Sequence, residues 1–387
     1  MIIEYYQIPK LVESTLEVKT GQEMLGSSKL RVGSIIKSFV PEVSLYAKKT
    51  SMVHEHSEIP SAGVFANINL FNGFRDVEQN KINKLNYEVN NLEFKKSYND
   101  IVFIAKNDFL QAVKIQENLK ILNEYALINK NNRNLILKKV SSGVSPRSEE
   151  FIFKKIELEL QEEILKAGNE LKLIYSNIKK LFSINKNESI ELNASLDISK
   201  YKYDSNAKKI DIAQVDFTEA LLQSEKKMSN LWRMPRVNLY AEHAFTNHKD
   251  GEILEEDDSA KHLVGIKITL PLLSEKNIDS IEEQVRKREL TAASLRKQTK
   301  IRDRENIEDK LEINLAHLLE IIEISKNKVD LSKEILDKTF SEFRIGLKEA
   351  LSLNEATFDY VQAKKDLIEH QVDYILAIEQ AKVNVLD

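Results

Sequence analysis

From Arg75 to Lys139 the chain carries neither glycine nor proline, and its apolar residues recur at spacings of three and four. Leu85, Val89 and Leu92 lead on to Tyr98, Val102, Ala105, Phe109 and Ala112. A second span without glycine or proline, between Leu272 and Ile345, repeats the pattern through Ile281, Val285, Leu311, Leu315, Leu318 and Ile322. That spacing keeps one stripe of a helix apolar and predicts helices over about 75–140 and 275–343. At 1.5 Å per residue each is about 100 Å long, many times the globular mean. Such lengths suit bundles, coiled coils or tunnels rather than a compact catalytic domain.

Each long helix ends at a glycine-marked turn. The first reads Val140-Ser-Ser-Gly143-Val144-Ser145-Pro146, with Gly143 suited to a left-handed C-cap, Ser145 to an N-cap and Pro146 to the first helical position. The second reads Phe343-Arg344-Ile-Gly346-Leu347-Lys348. Return helices over about 146–185 and 348–386 make two antiparallel hairpins. A heptad thread through Leu11, Val18, Leu25, Val32 and Phe39 predicts a further helix near the start, with a counterpart near Asp211–Trp232.

Elsewhere the period changes from 3.6 to 2. Val43, Leu45 and Ala47 alternate with polar neighbours, as do Val64, Ala66, Ile68 and Leu70. Val237, Leu239, Ala241 and Phe245 do so again, followed by Val264, Ile266, Ile268 and Leu270. Strands are predicted at about 41–50, 62–71, 235–246 and 262–272, with loops near Ser51–Ser61 and Asn247–His262. A membrane-barrel strand and a soluble antiparallel sheet packed on a helix share this alternation. Four strands cannot close a barrel alone, and long helices leave no compact core for an open sheet to cover. Closure by association removes the unpaired edges. Two chains would supply a barrel that side chains fill, whereas a passage needs roughly 12 strands, hence at least three chains.

The order is duplicated. Pro41-Glu-Val43-Ser-Leu45-Tyr46-Ala47 matches Pro235-Arg-Val237-Asn-Leu239-Tyr240-Ala241 at five of seven positions, and Gly143 and Gly346 lie 203 residues apart. Two structural repeats are expected, 1–200 and 201–387, each a helix, two strands and a helical hairpin.

Composition then removes whole classes of function. With 30% charged residues, ten glycines and six prolines in 387 residues, the chain fits solvated helices. A net charge of −4 gives no reason to expect nucleic acid. Zero cysteines exclude disulfides, thiolate metal sites and a cysteine nucleophile. The longest dense apolar run, Ile101–Ala105, is far too short for a membrane helix, so any membrane crossing must use strands. No phosphate loop, nucleophile elbow or paired catalytic carboxylate motif occurs, and the expectation is a protein that is not an enzyme and holds no cofactor.

In this arrangement the sequence resembles the TolC family of outer-membrane efflux and secretion channels, over nearly the whole chain from Pro9 to about Val385. The resemblance rests on Phe39-Val-Pro41-Glu-Val43-Ser-Leu45, Gly63-Val-Phe-Ala-Asn-Ile-Asn-Leu70-Phe71-Asn72-Gly73, Met234-Pro235-Arg-Val237-Asn-Leu239, Gly265-Ile-Lys-Ile-Thr-Leu-Pro271-Leu272-Leu273 and the run from Phe343 through Tyr374. It implies a mainly α fold with a small β part: a homotrimer whose hairpins form a periplasmic α-barrel and whose four strands per chain form a membrane β-barrel in outer-membrane lipid. The host would be a Gram-negative-type bacterium. A periplasmic membrane-fusion adaptor would dock on tip residues Gly143, Val144, Ser145, Arg147, Arg344, Gly346, Leu347 and Lys348. An inner-membrane pump of ABC or RND type would complete an efflux or type I secretion system. At the aperture, Glu149 matches the family's acidic position; Ser352 stands at its second-half equivalent, with Glu355 at another commonly acidic place. The opening Met1-Ile-Ile-Glu-Tyr-Tyr has no leader character, so the resemblance implies a truncated or processed chain.

Plainer alternatives attach to several residues. Glu149 and Glu355 could be carboxylates of a first helical turn, stabilised by the helix dipole. His54, His56, His243, His248 and His262, with Asp257 and Asp258, fall in or beside predicted loops without regular ligand spacing, and are expected to be surface residues holding no metal. Lys95-Lys96 and Arg286-Lys287-Arg288 read as solvated helix faces. The rival to a duct is a soluble coiled-coil scaffold built on the same helices.

Overall fold

The computed structural model describes residues 2–34, 39–52, 57–245, 262–271 and 280–386. Its order is β1 (Ile2–Glu4), α1 (Ile8–Val12), α2 (Leu16–Val32), β2 (Glu42–Met52), β3 (Ser57–Phe71), α3 (Arg75–Ser141) and α4 (Arg147–Leu181). There follow β4 (Glu191–Asn193), α5 (Ile210–Asn230), β5 (Arg236–Ala244), β6 (His262–Thr269), α6 (Ser280–Ile345) and α7 (Ala350–Lys382). The mainly α fold with long helical hairpins and four sheet strands is thus the one the spacing predicts. At 67 and 66 residues, α3 and α6 reach the expected length.

The chain divides into two compact units, to both of which α3 and α6 contribute. One comprises Met1–Gly21, Phe94–Ile210 and Ile301–Asp387. Its core has two main layers. Ile3, Ile8, Val12 and Val18 pack with Val102, Phe109 and Ala112 of α3 and Ile178 of α4. Further along, Ile121, Leu122 and Ile136 of α3 meet Phe153 and Leu160 of α4, Phe343 of α6 and Leu353 of α7. Ion pairs seal the rims: Arg133 to Glu157 at 2.9 Å joins α3 to α4, and Lys364 to Glu124 at 2.6 Å joins α7 to α3. Buried Glu379 is held by Lys106 at 2.5 Å and Lys382 at 3.0 Å, which is what a carboxylate in an apolar layer requires.

The other unit comprises Gln22–Glu93 and Asp211–Lys300 and carries the four-stranded antiparallel sheet, in the order β2-β3-β5-β6. Polar contacts bind its helices: Asn90 donates to the buried Ser28 hydroxyl at 2.9 Å, and Lys297 pairs with Asp216 at 2.8 Å. The first hairpin extends beyond the predicted strands, to Met52 and from Ser57, so much of the loop expected at Ser51–Ser61 is ladder. The loop expected at Asn247–His262, with His54, His56, His248, Asp257, Asp258, Leu272 and Leu273, lies outside the described residues apart from His262 itself.

Three features depart from the sequence expectations. The helix threaded by Leu11, Val18, Leu25, Val32 and Phe39 breaks at residues 13–15 and ends at Val32. The Ser14 and Thr15 hydroxyls donate back to the carbonyls of Leu11 and Val12 at 2.7 and 2.8 Å, closing α1, and Thr15 then accepts from the Val18 amide. A small parallel pair, β1 with β4, was not expected: Ile2, Ile3 and Glu4 face Glu191, Leu192 and Asn193. Pro146, not Ser145, caps α4, with extended backbone (ψ 150) and Arg147 as the first helical residue. The Ser145 amide instead donates to the Lys139 carbonyl at 3.3 Å, so Ser145 belongs to the preceding turn.

Candidate functional site: hairpin tips and an exposed sheet face

Both hairpins turn with one hydrogen-bond scheme. The Val144 amide donates to the Lys139 carbonyl at 2.9 Å and the Gly143 amide to that of Val140 at 3.1 Å. Leu347 does the same to Glu342 at 2.9 Å and Gly346 to Phe343 at 3.2 Å. This is the Schellman arrangement, and it needs a left-handed residue, which Gly143 (φ 75) and Gly346 (φ 87) supply. In such caps the apolar residue after the glycine usually packs back onto the helix. Here Val144 and Leu347 are 71% and 72% exposed, on backbone that the cap holds fixed. Arg147, Arg344 and Lys348 are exposed around them and Ser145 is half-buried.

The two tips touch. The Lys139 ammonium donates to the Phe343 carbonyl and lies 4.2 Å from the centroid of the Phe343 ring, itself 1% exposed. One cation therefore adds a second donor to the Phe343 carbonyl, which already accepts from the Gly346 amide, and caps the aromatic core beneath both turns. Sequence reasoning passed over Lys139. The signal available was a lysine four residues before one turn glycine and a phenylalanine three before the other.

The three aperture candidates differ in setting. Glu149 is the third residue of α4 and half-buried, which suits a carboxylate stabilised by a helix N-terminus. Glu355 is exposed and sits in the second turn of α7, where that explanation weakens. Ser352 is half-buried in the first turn. Nothing in one chain brings Glu149 and Glu355 into a shared cluster.

The sheet is the second candidate surface. Its register aligns apolar residues across all four strands: Leu45 faces Val64, Ala66 faces Ala241, Leu239 faces Ile266 and Val237 faces Ile268. One face is therefore continuous and apolar. On the edge strands β2 and β6, Val43, Leu45, Val264, Ile266 and Ile268 are 64–81% exposed. The opposite face carries Ser44, Tyr46, Asn67, Tyr240, Glu242 and Lys267, with the Tyr46 hydroxyl donating to Glu242. Among the described residues neither β2 nor β6 has a second strand partner. No described helix is long and apolar enough to cross a membrane, and no described group of three or more His, Asp or Glu side chains could hold a metal ion.

No protein-family model and no curated protein matches the chain. Solved structures do, along almost its whole length. The outer-membrane protein VceC of Vibrio cholerae superposes with a TM-score of 0.74 at 13% identity, over 99% of this chain and 97% of that one. The transmembrane channel protein CusC gives 0.78 at 12% identity, over 98% and 91%. The open state of the MtrE outer-membrane channel of Neisseria gonorrhoeae gives 0.71 at 12% identity, over 98% and 88%. The resemblance read from the sequence is thus borne out as a fold: the chain has that of TolC-like outer-membrane channels.

Proposed function

We propose, from that fold, that the chain is one protomer of a homotrimeric outer-membrane duct, a passive conduit for small molecules or polypeptides in a tripartite efflux or type I secretion system. The observation that carries this is the sheet. Among the described residues it has two open edges, one continuous apolar face most exposed on the edge strands, and one mainly polar face on which Phe65 and Leu263 also stand. A lipid-facing barrel wall has that division, and three copies would supply twelve strands. The strands alternate in direction, so β6 of one copy meets β2 of the next antiparallel, and repeating the operation closes a ring. On the helices, Phe151, Leu158 and Leu165 form an exposed heptad stripe along α4, and Ile324, Leu331 and Ile335 one along α6, apolar surface that neighbouring copies would cover.

In this reading transport needs no bond chemistry and no cofactor. The polar sheet face lines the water path. The paired turns, with Val144 and Leu347 rigidly presented and Arg147, Arg344 and Lys348 around them, dock a periplasmic adaptor, which links the duct to an inner-membrane pump. Gating is a two-state rearrangement of the helix ends biased by adaptor contact. Glu149 and Glu355 set cation preference at the constriction.

Extraction from bacterial outer membranes tests the proposal. The expected result is a heat-modifiable trimer that conducts ions in planar bilayers, with cation preference reduced by Glu149→Gln together with Glu355→Gln. A soluble elongated dimer would overturn the duct, and unchanged selectivity would remove the two carboxylates from the aperture.

A further inference from the structure

The strand register brings together two histidines that stand 19 positions apart in sequence. His243 of β5 and His262 of β6 are directly opposed, and their Nδ1 atoms are 3.0 Å apart with the rings nearly parallel. Both fall on the apolar face by strand parity, with Ala241 and Val264 the next residues inward. Phe245 lies edge-on against the His243 ring, with the centroids 5.0 Å apart.

A separation of 3.0 Å is short for two like nitrogens unless something lies between them. A shared proton is one answer, with one neutral ring accepting from the other. A metal ion is another. Two imidazole nitrogens each about 2.0–2.1 Å from one ion stand roughly 2.9 Å apart at a right-angled coordination and about 3.3 Å at a tetrahedral one. The observed distance falls in that bite range. The near-parallel rings need only turn about their Cβ–Cγ bonds to aim both lone pairs at a common point. His262 is exposed and His243 half-buried, so water can reach the remaining coordination positions from the His262 side. The ladder holds both backbones on the inward side, and β3 holds β5 from its other edge with Val64 facing His243, so the two ligands arrive already paired.

We propose that His243 and His262 form a two-imidazole chelate for a divalent transition metal of the class that favours imidazole nitrogen: Cu(II), Ni(II) or Zn(II). As the ion binds, the donor ring's proton moves from Nδ1 to its own Nε2 through solvent, both Nδ1 lone pairs go to the metal, and β5 is clamped to β6 at the outermost described pair of their ladder. This does not depend on the chain being a duct.

The test uses full-length protein without an affinity tag, solubilised in detergent, in which the other five histidines (His54, His56, His248, His317 and His370) are changed to Asn. One equivalent of Cu(II) is added and its electron paramagnetic resonance recorded. The expected spectrum shows coupling to two imidazole nitrogens, one ion per chain. His243→Asn and His262→Asn should each reduce it to one nitrogen and weaken Zn(II) binding by calorimetry roughly tenfold or more. Coupling to a single nitrogen, or Zn(II) affinity unchanged by both substitutions, overturns the chelate and leaves the pair as a proton-sharing contact. Should either substitution disturb folding, the two-nitrogen spectrum of the unsubstituted pair still decides the matter.

Discussion

Phe343 supports both hairpin turns at once, because its ring lies in the core under them while its carbonyl holds Lys139. Phe343→Ala should therefore cost about 3–5 kcal/mol, the range for emptying a buried aromatic site. Lys139→Met keeps most of the side-chain stem but loses the charged hydrogen bond and the ring contact, so a smaller loss of about 1–3 kcal/mol is expected. Denaturant titration followed by circular dichroism gives both values. Tyrosines report on the same unit. Burial, reinforced by Glu159 and Glu163, pushes Tyr125 up to about 12, and burial with Glu379 and Asp197 does the same to Tyr201. The unfolded value is 10.0, so both groups contribute their full stability below pH 10. Between pH 10 and about 12 the unfolded chain loses these protons first, and stability falls as pH rises. Ultraviolet titration should show these two tyrosines ionising only as helix is lost. At this scale the two turn glycines were legible, because a left-handed cap has one preferred residue. The grip of Lys139 was not: it joins positions about 200 residues apart, and no local pattern encodes that.

Elements divide by whether they have a period. The strands of the sheet announce themselves by alternation, and the register then decides which face each side chain occupies. Ile266 sits mid-strand on the apolar face, so Ile266→Arg should cost about 2–4 kcal/mol of folding into lipid vesicles, whereas Lys267→Gln on the opposite face should cost little. Equal losses at the two sites would contradict a lipid-facing assignment. The heptad of α4 makes a different prediction: Leu158→Asp with Leu165→Asp should leave the helical content of the protomer unchanged and abolish the proposed trimer on native gels. Where an element is too short to have a period, the sequence offered no signal. β1 and β4 are three residues each and were missed, and the break at Ser14 and Thr15 is side-chain chemistry that an apolar thread does not register.

For the molecule as a whole, length without glycine or proline carried most of the fold, because little else accommodates helices of this size. The duplicated order of strands and hairpins pointed to the same architecture, and we propose the division into two structural repeats, 1–200 and 201–387, on that order alone. Compact units follow a different principle. The sheet-bearing unit draws on two separated stretches of chain and the helical unit on three, because packing groups residues by face and not by order.

The β1–β4 pair has a kinetic consequence. Residues 2–4 lie alongside residues 191–193, and 17 positions on (210 − 193) the Ile210 amide donates to the Asn384 carbonyl while the Leu386 amide donates to that of Lys208. The segment between the hairpins is thus stitched to stretches of chain nearly half the sequence away on either side. Such closures lose much chain entropy before any contact compensates, so they form late and slowly. Each helical hairpin can zip up locally as it emerges, but the unit stays unsealed until strands from three distant regions meet. Two separately expressed halves, split in the segment after β4, should each gain helix quickly when mixed and reach native stability only at the rate of that final stitching.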